Sequence, residues 1–389
     1  MKKSGVYAVS ADPITKGHIR LVERASNEYD EVVLAIGINA EKKYLFTADQ
    51  RQEMARRSLA HLPKVRVDSF QGLLVDYAYA QSIEYLIRGV RDERDREVEQ
   101  VYAAAVRDQN LGIKVDFIEA EETYKHISSS LVKATAVANG LFGLRPNYVT
   151  PYVKQCLEAK LLGQYFVGVT GAIGCGKSYA CKELVKAGQA KNIPIQSVDL
   201  DHIGHLIIKD CNLPMAVRAR QEIVKYFGKA VLCGDGSIDR KKLGEMVFGN
   251  PHELQQLNQI LAKPMFVYLR DQIISKMKGV ILLEAALFAE SGIADWCNYN
   301  IVLVGANEKV QKDRVSARDG LSAEQIERRI NSQFSGERKK ELLAQQIKDN
   351  GHGKLWEFDN SEEIPGRFER LLEQVVAEMD IYGVLGKSK

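Results

Sequence analysis

The sequence predicts two α/β units in tandem, each built on a parallel sheet, and three observations carry that prediction. Its 389 residues exceed one core of ordinary size, which makes two domains the default. Short β-branched runs bounded by turns alternate with segments of helical period, the pattern of parallel strands joined by crossover helices. A glycine-rich stretch, VTGAIGCGKSYA from Val169 to Ala180, lies near the midpoint directly after an apolar run, so a second series starts there.

In the first series, GVYAVS, EVVLAIGI, KVRVDSF, EYLIRGV and KVDFIEA read as strands, with HIRLVERASNEY and TADQRQEMARRSLAHL as helices between them. HISSSLVKATAVANG is a helix with a glycine stop, and NYVTPYVKQCLEAKLLG is another, followed at once by the strand QYFVGVT. Only Gly163 and Gln164 join the series, giving domains 1–162 and 165–382. In the second series, SYACKELVKAG is a helix and IQSVDLDHIGHLI is a strand that ends in Asp199 and Asp201 and runs into a helix. No repeat or low-complexity tract appears, and only the tail after about Tyr382 reads as loose.

Composition limits the function classes. The chain is 45% hydrophobic and 27% charged, with no apolar run of the roughly 18 residues a membrane helix needs, so a soluble protein is expected. A formal net charge of +3 gives no bulk field for nucleic acid or membrane, so any anion site is local. Six cysteines without a C-x-x-C pair, and a start MKKSGVYAVSADP without a signal-peptide core, fit free thiols in the cytoplasm.

Gly171, Gly176, Lys177 and Ser178 satisfy G-x-x-x-x-G-K-[ST] between an apolar strand and a helix, the context of a phosphate-binding loop. The N–H groups of Gly174 to Ser178 point inward at a β-phosphate, Lys177 bridges β- and γ-phosphates, and Ser178 ligates Mg²⁺. The ATP candidates are therefore Gly171, Gly174, Gly176, Lys177, Ser178 and Tyr179. Asp199 and Asp201 stand where an α/β sheet exposes its carboxyl edge; one is a candidate base for a substrate hydroxyl, and each is equally readable as an Asx turn or helix cap. His202 and His205, three apart on a helix, lack further ligands at metal-binding spacing and read as surface or core histidines.

With VDLD, YFGKAVLCGDGSIDRKKLGEMVFGNPHELQQLN, LFAESG, DRVSARDGLS and FDNS, this half resembles dephospho-coenzyme A kinase from about Tyr165 to Met379. The resemblance implies a P-loop kinase with a helical substrate cap and a lid, phosphorylating the ribose 3′-hydroxyl of dephospho-coenzyme A. Asp201 takes the position of the base and Asp199 supports it or the Mg²⁺ shell. Arg314 and Arg318 fall on the lid, where an arginine neutralises the transferring γ-phosphoryl, or else lie on a solvated helix face. Three departures stand out: Ala286 replaces the family's usual proline, AKP replaces its His-Pro, and IKDNGHGKLW looks inserted.

Near the N-terminus, SADPITKGH fixes Thr15, Gly17 and His18 after the first strand, where helix N–H groups are free and an imidazole can donate to phosphate. A capping Thr15 with a surface His18 is the plainer reading. Together with INAEKKYLF, GLLVDYA, IRGVRDERDREVEQ and YKHISSSLVK, the segment resembles bacterial phosphopantetheine adenylyltransferase over residues 5 to about 160. The resemblance implies an HxGH-type, Rossmann-like nucleotidylyltransferase domain. It sets Ser10 and Lys42 on the reacting phosphates, His18 on the α-phosphate, Arg88, Leu73 and Leu74 in the phosphopantetheine pocket, and Arg91, Glu99, Ser128, Ser129 and Ser130 on the ATP side. Val9 and Ala11 stand where the family prefers glycine and phenylalanine, and Val98 where it has an aromatic residue; Ser10 for threonine and Tyr124 for tryptophan are milder changes.

The two resemblances are consecutive: adenylylation of 4′-phosphopantetheine yields dephospho-coenzyme A, the substrate of the kinase. They imply a bifunctional enzyme of coenzyme A biosynthesis that uses ATP and Mg²⁺ at both steps, with no nucleic-acid or membrane partner, assembled as a homo-oligomer through the first domain, a hexamer by family habit. Two alternatives are an adenylyltransferase for another phosphate ester, such as a pyridine mononucleotide, and a first domain that Val9 and Ala11 have left as a docking module for an active kinase.

Overall fold

Both series fold around five-stranded parallel sheets, in a computed structural model that describes residues 3–144, 148–209, 212–247, 250–319, 324, 327, 330 and 333–384. The chain divides into two compact units, one of Met1–Val137 with Leu144–Lys154, the other of Ala138–Gly143 with Gln155–Lys389.

The first unit runs β1 (Ser4–Val9), α1 (Lys16–Glu28), β2 (Glu31–Gly37), α2 (Ala48–Leu59), β3 (Val65–Phe70), α3 (Leu74–Ala80), β4 (Tyr85–Val90), α4 (Glu93–Asp108), β5 (Lys114–Glu119) and α5 (Ser129–Val137). Capping chemistry sets the helix starts. Thr47 accepts from the Gln50 N–H at 3.2 Å while Gln50 accepts from the Thr47 N–H at 3.1 Å. α1 turns Ile19, Leu21, Val22 and Ala25 inward. Strand order is β3-β2-β1-β4-β5, so the connections turn opposite ways on either side of β1. The crevice beyond the carboxyl ends of β1 and β4 is therefore the expected ligand site.

α6 (Pro151–Leu157) continues as a π-turn through Leu162 and is capped by Gly163, and β6 (Gln164–Thr170) follows at once. The second unit then runs α7 (Lys177–Ala190), β7 (Ile195–Asp199), α8 (Leu200–Lys209), α9 (Pro214–Phe227), α10 (Arg240–Val247), α11 (Pro251–Tyr268), β8 (Gly279–Glu284), α12 (Phe288–Ser291), β9 (Asn300–Gly305), α13 (Glu308–Asp319), α14 (Gly336–Asn350), β10 (Lys354–Asp359) and α15 (Arg367–Asp380). Strand order is β10-β9-β6-β8-β7, and the loop after β6 leaves the sheet between β8 and β9, again at a switch point. β6 and β8 are buried along their whole length, as strands covered on both faces must be. Helices α8 to α11 pack together through Ile203, Ile207, Ala219, Ile223, Leu243 and Leu261, forming the expected cap.

One sequence expectation changes. β7 stops at Asp199, and Asp201 lies in the first turn of α8, because the Asp199 side chain caps that helix by accepting from the His202 N–H at 2.9 Å. Within IKDNGHGKLW, Ile347–Asn350 complete α14, Gly351 caps it, and β10 begins at Lys354. The lid sequence beyond Asp319 and the tail beyond 384 lie largely outside the described residues. Among the described residues no helix is long and apolar enough to cross a membrane.

Candidate active sites

In the first unit, His18 is the third residue of α1. Its Nδ1 accepts from the Thr15 N–H at 3.1 Å, so in the neutral ring Nε2 carries the proton and is left to donate. Burial pushes the His18 pKa down to about 4, with the positive Arg91 acting in the same direction, so the ring is neutral at pH 7. The structure thus joins both readings of the motif: Thr15 caps the helix, and the imidazole it orients is partly buried rather than a surface group.

The loop before α1 is pinned from several directions. Arg51, 1% exposed, donates from Nη1 to the Ser10 carbonyl at 2.6 Å and the Gly37 carbonyl at 3.0 Å, and stacks on Tyr44 at 3.9 Å. Buried Asp12 accepts from the Leu45 and Phe46 N–H groups, each at 3.0 Å, and from Lys133 Nζ at 2.8 Å. Ser128 caps α5 by accepting from the Leu131 N–H at 3.2 Å, and Ser129 Oγ donates to the Pro13 carbonyl at 2.8 Å. The serine run and the DPITKGH loop therefore meet. Ser10, Ser130 and Lys42 are exposed.

Arg88, assigned by resemblance to the phosphopantetheine side, and Glu99, assigned to the ATP side, form a bidentate pair at 2.6 and 2.7 Å, with Arg88 lying 4.7 Å over Tyr102. Tyr7 lies within the field of both and of Arg91; burial pushes its pKa up to about 12. Leu73 is 60% exposed where α3 begins, and Leu74 is buried beneath it. Of the two departures, Val9 ends β1 opposite Ile36, whereas Ala11 is buried at a φ of 45°, a left-handed conformation unusual for a residue with a Cβ.

In the second unit, the loop from Gly171 to Gly176 is held by α13 and by the turn after β10. Asn360, fully buried, donates from Nδ2 to the Cys175 carbonyl at 2.8 Å and accepts from Arg367 at 2.8 Å. Arg314 donates to the Cys175 carbonyl at 3.2 Å and the Asn360 carbonyl at 2.9 Å. It is thus committed to the loop backbone in this state, while Arg318 is exposed at the end of α13. Lys177 Nζ curls back onto the Gly171 and Ala172 carbonyls, both at 3.3 Å. Tyr179 is 42% exposed and packs edge-on to Phe368.

Ser178 donates to the carboxylate of Glu284, which ends β8. Burial raises the Glu284 pKa, and Asp199 and Asp201 raise it further against Ser178 and Lys177. Asp201 Oδ2 accepts from the Ala286 N–H at 3.2 Å, a bond that proline at this position cannot make. Desolvation raises the Asp201 pKa although the side chain opens to solvent on one face; the Ala286 bond opposes the rise, and Asp199 adds to it. His205 bonds Arg240 at 2.7 Å. Oxygen donors from Ser178 and Glu284 suit Mg²⁺, and among the described residues no three acidic, histidine or cysteine side chains converge to enclose a metal.

Sequence reading passed over Glu284, Arg51, Asp12 and Lys133. Glu284 had a signal in the apolar run GVILL closed by one acid at the carboxyl end of a strand. Arg51, on an ordinary amphipathic helix, had none.

Both parts of the chain have relatives among known proteins. Residues 165–354 match the family model described as dephospho-CoA kinase, and residues 6–135 match the one described as cytidylyltransferase-like. Phosphopantetheine adenylyltransferase of Geobacter sulfurreducens is 39% identical over 162 residues, covering 41% of this chain and 96% of the relative. The enzyme of Heliobacterium modesticaldum is 39% identical over 168 residues, covering 43% and 95%. A solved dephospho-CoA kinase from Campylobacter jejuni aligns with 56% of this chain and 97% of its own at 22% identity and a TM-score of 0.34.

Proposed function

Since this chain belongs to the phosphopantetheine adenylyltransferase family through its N-terminal part and carries a dephospho-CoA kinase domain after it, we propose that it performs the last two steps of coenzyme A synthesis in turn. The observation that carries the reading is the presence in one chain of two phosphate-binding loops, each at the switch point of its own parallel sheet, with a neutral His18 at one and Lys177 at the other.

In the first step a 4′-phosphate oxygen of phosphopantetheine attacks the α-phosphorus of ATP, the bond to the α,β-bridging oxygen breaks, and pyrophosphate leaves. His18 Nε2–H stabilises charge growing on the α-phosphate. Ser10 and Lys42 hold the reacting phosphates, Arg88 with Leu73 and Leu74 binds phosphopantetheine, and Arg91, Glu99 and Ser128 to Ser130 hold ATP. No covalent nucleophile is required, because in-line positioning and charge neutralisation suffice.

In the second step the 3′-hydroxyl of dephospho-CoA gives its proton to Asp201 as its oxygen bonds the γ-phosphorus, and ADP leaves. Lys177 lets go of its loop carbonyls for the phosphates, while Asp199 keeps the start of α8 in place through its cap. Mg²⁺ held by Ser178 and Glu284 would neutralise the phosphate oxygens. Arg314 anchors the loop, and Arg318, exposed at the end of α13, is assigned to the γ-phosphoryl by resemblance.

The adenylyltransferase part is assigned to residues 1–162 and the kinase part to residues 165–382, in a cytoplasmic homo-oligomer; Val98 and Val101, 63% and 72% exposed on α4, support assembly through the first unit. Pyrophosphate release from ATP that depends on added 4′-phosphopantetheine tests the first activity. Release with a pyridine mononucleotide instead would point to another substrate, and no release with any acceptor would point to a docking module.

A further inference from the structure

We infer that Lys339 is a positioning residue of the kinase reaction, fixing the carboxylate of Asp201 through the turn at Ala286. The inference rests on the proposed role of Asp201 as base. Lys339 lies on α14 and is fully buried, a place where an aliphatic side chain would serve packing at no electrostatic cost. Its ammonium donates to the Ala286 carbonyl at 2.8 Å and to the carboxylate of Glu290 on α12. Thr170 Oγ1, at the end of β6, donates to the same carbonyl at 3.3 Å. Ala286 is thus held at its oxygen by two donors from separate elements, and its own N–H is aimed at Asp201 Oδ2.

That arrangement answers an electrostatic difficulty. Asp201 faces Asp199 of β7 and Glu284 of β8, while Lys177 of α7 and His205 of α8 draw it in other directions, and His202 and Arg240 stand beside His205. Repelled by two carboxylates, the side chain has no reason to keep one rotamer unless a fixed donor holds one oxygen. The Ala286 N–H holds Oδ2 and leaves Oδ1 for the acceptor hydroxyl. Its bond is only as rigid as the turn, and the turn connecting β8 to α12 is clamped by Lys339.

Two variants of the full chain test this. Lys339→Met with Glu290→Gln removes the clamp without stranding a buried charge, and Ala286→Pro, which places the family's usual residue in this chain, deletes the N–H while also fixing φ there. With dephospho-CoA and ATP, each is expected to lower kcat about tenfold to a hundredfold, the usual cost of a misplaced catalytic group. KM for ATP stays within about threefold, and combining the changes costs little more than either, because they break one chain of contacts. Pyrophosphate release by the first unit reports that the chain is folded, and Ala286→Pro carries the test by itself if the double variant does not fold. Unchanged kcat, a loss confined to KM for ATP, or multiplying losses would overturn the inference. Hydrogen exchange at the Ala286 amide gives a readout independent of turnover, expected to quicken in Lys339→Met/Glu290→Gln and in Asp201→Ala. If the parent chain does not phosphorylate dephospho-CoA, the reading of Asp201 falls; unaltered exchange, with or without that activity, overturns the inference itself.

Discussion

In the role proposed for it, His18 is useful because it is neutral before the nucleotide arrives. The Thr15 N–H occupies Nδ1, so Nε2 keeps its proton, and burial holds the pKa at about 4. A donor of this kind strengthens as charge builds on the α-phosphate. His18→Ala is therefore expected to cut the adenylylation rate by about 10² to 10³, or about 2.7–4 kcal/mol, leave substrate affinity nearly intact and leave the kinase within a few-fold of normal. Steady-state kinetics of both reactions on one preparation check this. The same pKa carries a stability signature. An unfolded histidine titrates near 6.5, so below that pH the unfolded chain takes up a proton that folded His18 refuses until about pH 4, and the stability is lost as pH falls through that window. Urea unfolding at pH 7 and pH 4.5 should show His18→Gln gaining on the parent as pH drops; an unchanged difference between the two proteins would mean the ring is not desolvated. The candidate residues His18, Lys177 and Ser178 were singled out because motif and spacing mark them. Their supports were not: Arg51 and Lys339 look like any helix-surface cation in the sequence, and only tertiary burial gives them roles.

At the scale of elements, the phosphate loop of the second unit shows why its glycines sit where they do. A Cβ on Gly174, at a φ of +76°, would stand 2.6 Å from the Gln311 carbonyl oxygen of α13, and one on Gly176, at +87°, 2.3 Å from Asn360 Nδ2. Neither the conformation nor the space admits a side chain. Gly174→Ala should consequently displace α13 from the loop and raise KM for ATP in the kinase assay at least tenfold, with adenylylation unaffected; ATP affinity equal to the parent's would show that the loop tolerates the shift. Although β8, β9 and β10 were not singled out, β1 to β7 and the parallel class of the sheets were readable from β-branched runs punctuated by turns. The strand-to-helix junction at Asp199 was not, because two aspartates flanking one leucine suit a strand end and a first helical turn alike, and the cap bond to His202 decides between them.

On the scale of the whole molecule, the account comes down to two sheets, two switch points and two reactions of which the second consumes what the first makes. Length and the restart of strand-helix alternation made the tandem organisation legible, and two ordered sets of motifs made the reactions legible. Left-handed Ala11 and the β-branched Val9 belong to the part that sequence leaves open, since a departure from a family's preferred residue says nothing of how the backbone accommodates it. Each site is predicted to fail alone, because Lys177 belongs to the loop of the second unit and to no element of the first. The most direct measurement is product analysis by mass spectrometry after incubating Lys177→Ala and the parent chain with 4′-phosphopantetheine, ATP and Mg²⁺. The account predicts coenzyme A from the parent and accumulated dephospho-CoA, with no coenzyme A, from the variant; absence of dephospho-CoA in both reactions, or loss of both activities in a folded Lys177→Ala chain, would contradict it.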